Sequence, residues 1–256
     1  MILAIDSGNT NVVFAVQDGA DVHSQWRAST IAERTADEYM VWLTQLMSLD
    51  DVTPGDIDGA IIASVVPQAL FNQRSLCRRY FNTTPLVVGD PDVDLGIEVK
   101  VDRPNEVGAD RLVNAVSAHA TYGQASIIID FGTATTFDVV DGDGSYIGGV
   151  ISPGVNLSLE ALHAAAAQLP RVAIARPAQV IGKSTVPAMT SGVYWGYVGL
   201  VEGIVARIRE EVGTPMMVIA TGGLATVFSN GTDVIDKLDP DLTIRGLYEI
   251  YRRNRS

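Results

Sequence analysis

The sequence predicts an α/β protein made of two copies of one domain, each with a mixed sheet flanked by helices. Three observations predict it: an internal repeat, alternation of buried strands with amphipathic helices, and a hairpin that opens each half.

The repeat appears when residues 2–16, ILAIDSGNTNVVFAV, are laid over residues 126–140, SIIIDFGTATTFDVV, at an offset of 124. Asp6 falls on Asp130 and Gly8 on Gly132, so each copy reads apolar strand, Asp-x-Gly turn, apolar strand. The offset far exceeds the roughly 20 to 50 residues of solenoid repeats, which favours duplicated domains over an array. Each copy then meets Asp/Gly turn chemistry, Gln17-Asp18-Gly19 and Asp141-Gly142-Asp143-Gly144, suited to closing a hairpin.

Further along, Thr35 and Glu38 have capping-box spacing ahead of Tyr39, Trp42, Leu43, Leu46 and Met47, which predicts a helix packed on one face. The run from Gly59 to Val66, bounded by Pro67, reads as a buried strand, as do Leu86-Val87-Val88 and Ile127-Ile128-Ile129. With no low-complexity linker, a tight junction is expected near residues 118–125, giving domains 1–120 and 121–256. In the second half, Pro153-Gly154-Val155-Asn156 precedes a helix-like stretch at 157–169. Pro187 suits the first turn of a helix running to about Val212, and Met216–Ala220 is a buried strand.

Composition narrows the function. The 256 residues hold 18 Lys+Arg against 30 Asp+Glu, and the net charge of −12 opposes binding to nucleic acid or anionic membranes and favours a small-molecule partner. The single Cys77 excludes an intrachain disulfide and fits a reducing cytoplasm, and His23, His119 and His163 lack metal-ligand spacing. Asp6 interrupts the apolar start at once, so no signal peptide or membrane span is expected.

The turn Asp6-Ser7-Gly8-Asn9-Thr10-Asn11 places small residues after a buried strand, where backbone N–H groups are able to cradle phosphate oxygens. Asp6 would repel phosphate directly, so its expected role is to hold Mg²⁺, directly or through water. A plain hairpin turn explains one such copy equally well; the second, Asp130 to Thr136, favours a ligand clamped from opposite sides. Ile219-Ala220-Thr221-Gly222-Gly223 ends another strand in small residues and leaves room for adenine or ribose. Pro104 to Arg111 reads as a helix entrance. There Asp110 is either a simple cap or the acceptor of a hydroxyl proton, and Arg111 either a surface charge or the fork that pairs with a substrate carboxylate. Gly182-Lys183-Ser184 is not a P-loop, because Pro177 occupies the position of the first glycine. These residues leave three readings open: an ATP-dependent small-molecule kinase, a related sugar or acetate kinase or polyphosphatase, and a nucleotide sensor.

Asp6-x-Gly8-Asn9-Thr10-Asn11, Gly108-Ala109-Asp110-Arg111, Asp130 to Thr136, Pro153-Gly154-Val155 and Gly182 to Thr185 occur in this order, and together the chain resembles the type III pantothenate kinases. The resemblance implies a duplicated ribonuclease-H-like fold of the actin-like ATPase superfamily. It also implies ATP-dependent phosphorylation of pantothenate to 4'-phosphopantothenate, the first step of coenzyme A synthesis. Carried over by position, it puts ATP on Asp6, Ser7, Gly8, Asn9, Thr10, Asn11, Val12, Val13 and Thr133. Pantothenate falls on Gly108, Ala109, Asp110, Arg111 and Thr185, with Asp110 as proton acceptor. Asp130 matches a monovalent-cation ligand, K⁺ or NH₄⁺, alongside Mg²⁺ with ATP. A homodimer formed through helices of the second domain is implied as well. One departure stands out: Val101 occupies a position where several members of the family have a Tyr lining the pantothenate pocket.

Overall fold

A computed structural model describes residues 1–19, 21–165 and 169–255. The chain forms two compact units, one made of Met1–Thr121 with Asp241–Ser256 and the other of Tyr122–Pro240.

The first unit opens with β1 (Ile2–Ser7), β2 (Asn11–Asp18) and β3 (Asp21–Ser29) as an antiparallel meander. Thr35 then caps α1 (Ala36–Leu49): its backbone N–H and hydroxyl both donate to Glu38 Oε2 at 2.8 Å, and Glu38 N–H donates back at 3.3 Å. β4 (Gly59–Ser64) adds parallel to β1, and Pro67 starts α2 (Pro67–Tyr80), where its missing N–H costs no hydrogen bond. β5 (Leu86–Val87) completes the sheet, in the order β3-β2-β1-β4-β5, and α3 (Ala109–Tyr122) follows.

β1 and β4 are apolar on both faces because helices cover both. Leu3, Ile5, Phe14 and Ile62 pack with Tyr39, Leu43 and Met47 of α1 and Leu76 of α2. Ala4, Val13, Ile61 and Ala63 face Val113 and Val116 of α3, together with Ile244, Leu247 and Ile250 of the last helix, α7 (Leu242–Arg253). That return corrects the expected boundary. Residues 241–256 belong to the first unit instead of ending a domain 121–256, because the amphipathic face of α7 completes the first sheet's second core.

The second unit repeats the meander with β6 (Ser126–Phe131), β7 (Ala134–Val140) and β8 (Tyr146–Pro153). Asp141 closes its turn by accepting N–H groups from Asp143 and Ser145 at 3.0 and 2.8 Å. α4 (Val155–Ala165) covers most of the helix-like stretch; residues 166–168 of that stretch lie outside the described residues. α5 (Thr185–Val212) ends at Gly213, whose φ of 72° supplies the left-handed cap. β9 (Met217–Thr221), the short α6 (Ala225–Ser229) and β10 (Lys237–Leu238) complete a sheet ordered β10-β9-β6-β7-β8. Its core joins Ile127, Ile129 and Phe137 to Tyr194, Val201 and Phe228. Among the described residues, no helix is long and apolar enough to cross a membrane.

Candidate functional site

In the first unit, the Asp-x-Gly turn stands at the carboxyl end of β1, the end where ligands bind in α/β sheets. Gly8 N–H donates to Asn11 O at 3.0 Å and closes the turn, leaving Asn9, Thr10 and Asn11 exposed. Asp6 is half-buried and pairs with Val13 and Ala63, so its carboxylate shares the sheet face that carries α3. Ser7 points the other way: it is buried, and Gln73 Nε2 of α2 donates to its hydroxyl at 2.8 Å. Val12 and Val13 are buried in the two cores, which leaves only their backbone for a nucleotide.

The Gly108–Arg111 motif adjoins this turn. Val65 N–H, just beyond β4, donates to Ser7 O at 3.0 Å, and Val65 Cγ1 would lie 3.5 Å from a Cβ at position 108. The same added Cβ would stand 2.6 Å from Asp110 Oδ1, so a glycine is what lets that carboxylate fold back over the helix entrance. Gly108 O accepts N–H groups of Arg111 and Leu112 at 3.1 and 3.3 Å, which starts α3. Asp110 Oδ1 accepts Arg111 N–H at 2.8 Å. Burial pushes the Asp110 carboxyl above its ordinary 3.8, opposed by the Arg111 N–H bond and the Arg111 charge. Both Asp110 and Arg111 are half-buried.

In the second unit, three sequence motifs converge on Asp130, which pairs with Thr136 and Thr221. Gly222, at φ 89°, lies so close that any Cβ there would strike Asp130 Oδ1. Gly132 N–H donates to Ala134 O at 3.1 Å, and Gly154 N–H donates to Thr133 O at 3.2 Å, while Tyr197 of α5 donates to Pro153 O. Thr133 itself is exposed. Thr185 stands elsewhere, at the first turn of α5, where it borders an apolar cavity of roughly 630 Å³ lined by Leu159, Leu162, Met189, Val193 and Leu200.

The described residues contain no cluster of three or more His, Cys, Asp or Glu suited to a metal. Asp6 and Asp130 instead offer single oxygen donors beside small-residue turns, which fits ions held largely by phosphate oxygens and water. Cys77 is buried and its thiol is pushed up to about 12 by desolvation, so it belongs to the core.

The sequence model of the type III pantothenate kinases matches residues 2–207. A type III pantothenate kinase from Paramagnetospirillum magneticum is 66% identical over 254 residues, covering 99% of this chain and 98% of that protein. Another from Rhodospirillum rubrum is 67% identical over 255 residues, covering 100% and 99%. The chain belongs to the type III pantothenate kinase family. Solved structures agree on the fold. Component A of (R)-2-hydroxyglutaryl-CoA dehydratase from Acidaminococcus fermentans superposes with a TM-score of 0.56 at 13% identity, covering 100% of this chain and 99% of that one. The activator of 2-hydroxyisocaproyl-CoA dehydratase from Clostridium difficile, solved with bound ADPNP, gives 0.55 at 10% identity over 98% and 93%. The architecture is a duplicated α/β fold, two five-stranded mixed sheets flanked by helices, shared with both of these proteins.

Two groups that touch the first turn escaped the sequence reading: Thr30, whose hydroxyl donates to Gly8 O at 2.6 Å, and Gln73. Gln73 lies in a helix whose start at Pro67 was read only as the end of a strand. Thr30 follows a third strand that the repeat, compared only through residue 16, did not reach.

Proposed function

We propose a division of labour for the family's reaction, in which ATP transfers its terminal phosphoryl group to the primary hydroxyl of pantothenate. The chain is a pantothenate kinase, and its product is 4'-phosphopantothenate, the first intermediate of coenzyme A biosynthesis. Residues 6–13 hold ATP, chiefly through the N–H groups of the Asp-x-Gly turn, and Thr133 adds a further contact. Gly108, Ala109 and Thr185 line the acceptor, and Arg111 pairs with its carboxylate. Asp110 takes the hydroxyl proton as the oxygen bonds to phosphorus.

The observation that supports this reading is the juncture in the first unit, where Val65 links the Ser7 backbone to the Gly108 entrance. Catalysis of phosphoryl transfer is largely positioning and charge stabilisation, which suits a site with one base and many backbone donors. Mg²⁺ beside Asp6 and a monovalent cation beside Asp130 would supply charge neutralisation at the phosphates. The raised Asp110 carboxyl makes it a better proton acceptor than an ordinary aspartate.

The protein is further read as a cytoplasmic homodimer joined through α4 and α5. Leu157 and Leu162 on α4 are 50% and 42% exposed, and Leu162 lines the apolar cavity, which supports that surface as the contact. Light scattering should give twice the chain mass, and a monomer would remove the assignment. An ADP-release assay with and without pantothenate, in potassium and then sodium buffer, tests the rest. ADP release that ignores pantothenate would refute the acceptor, and equal rates in the two buffers would refute the monovalent cation.

A further inference from the structure

We propose that Thr30 is a positioning residue that locks the phosphate turn in its donor-outward state, a role that rests on residues 6–11 holding ATP. Thr30 is the first residue after β3 and lies far from the turn in sequence. Its hydroxyl donates to Gly8 O at 2.6 Å and its N–H donates to Thr10 O at 2.9 Å. Two of the turn's carbonyls are thereby claimed by one residue.

The consequence follows from peptide geometry. All peptides of the described chain are trans, so each C=O points opposite to the N–H of the same peptide. Holding Gly8 O toward Thr30 turns the Asn9 N–H away from Thr30, toward the exposed side of the turn. Gly8 makes this hold necessary. The residue that lets a ligand approach closely is also the residue most able to rotate its peptide. A rotated Gly8–Asn9 peptide would present a carbonyl oxygen to phosphate in place of a donor. The neighbouring groups of the turn are engaged elsewhere: the Ser7 carbonyl is held by Val65, and the Gly8 N–H is spent on Asn11.

The duplication supports the assignment independently. At the same offset of 124 residues, Thr30 falls on Gly154, which is likewise the first residue after the third strand, β8. Gly154 N–H also restrains a carbonyl of its turn, Thr133 O at 3.2 Å, and the packing there leaves no room for a side chain. Tying back the turn from the end of the third strand is thus common to both units. Only the first unit adds a hydroxyl to the backbone bond.

The test compares Thr30→Val, which keeps the branched shape and loses the hydroxyl, with Thr30→Ser, which keeps the hydroxyl. Asp6→Asn serves as an independent probe of the turn. We expect Thr30→Val to raise the KM for ATP about fivefold to tenfold, the loss of one hydrogen bond, with the KM for pantothenate unchanged. Thr30→Ser should restore the parental value, and the thermal midpoint of both variants without nucleotide should stay close to the parent. If Asp6→Asn weakens ATP and Thr30→Val does not, Thr30 has no positioning role and the turn assignment stands. If neither variant changes the ATP parameters, the turn assignment itself falls. Equal rises in both KM values, or a failure of Thr30→Ser to rescue, would overturn the proposal as a mere structural effect.

Discussion

Asp110 has two structural reasons to exist, and they predict different outcomes. As a helix-entrance group it accepts the Arg111 N–H at 2.8 Å, a bond that asparagine reproduces with its amide oxygen. As a base it needs an open lone pair with affinity for a proton, which asparagine lacks. Asp110→Asn should therefore leave folding and ATP binding near parental levels while lowering kcat at least about a hundredfold; calorimetric ATP titration alongside steady-state rates separates the two. The sign of the pH effect follows from burial. Desolvation raises the carboxyl above 3.8, so activity is present above the raised value and is lost as pH falls through it. The acid limb of kcat/KM should lie above 3.8, and a limb at or below it would contradict Asp110 as the base. Arg111→Lys keeps the charge and loses the planar fork, so the KM for pantothenate should rise about tenfold with that for ATP unmoved. A rise confined to ATP would misplace the acceptor.

At the scale of elements, legibility tracked how local the cause was. α1 was readable because its capping box lies within four residues, and the strands β4, β6 and β9 were readable because both faces are apolar. α2 was missed because Pro67 was read as a terminator when it occupies the first turn of a helix. The grouping of Asp130 with Gly222 was not readable, because it depends on β9 pairing beside β6 across about ninety residues. Nothing in the local pattern specifies such a neighbour. The cap itself makes a prediction at this scale. Thr35→Ala removes the hydroxyl that accepts the Glu38 N–H and should cost about 1 kcal/mol in urea unfolding, with kcat unchanged. An unaltered midpoint would show that packing of Tyr39, Leu43 and Met47 alone sustains α1.

At the scale of the whole molecule, the repeat gave the right architecture and the wrong end to the second domain. Duplication of a sequence segment implies a boundary where the second copy begins, yet a chain is free to return, and α7 does so. Its buried face, Leu242, Ile244, Leu247 and Ile250, is visible as helical spacing, but the partner it covers is set by the first sheet's need for a second layer. Thr243 Oγ1 also donates to Asn114 Oδ1 of α3 at 2.7 Å, which ties the returning helix to the segment that carries Asp110. Leu247 is fully buried against the β1 and β4 face, so Leu247→Ala should destabilise the fold by about 2–5 kcal/mol. The location of the damage distinguishes the two domain assignments. Hydrogen exchange should accelerate first in β1 and β4, with β6 and β9 remaining protected, because the cavity opens in the core of the first unit. Early loss of protection in β6 and β9 instead would place residues 241–256 with the second domain. Activity should fall in step with the loss at β1, since Asp6 lies in that strand and α3 packs on the same face.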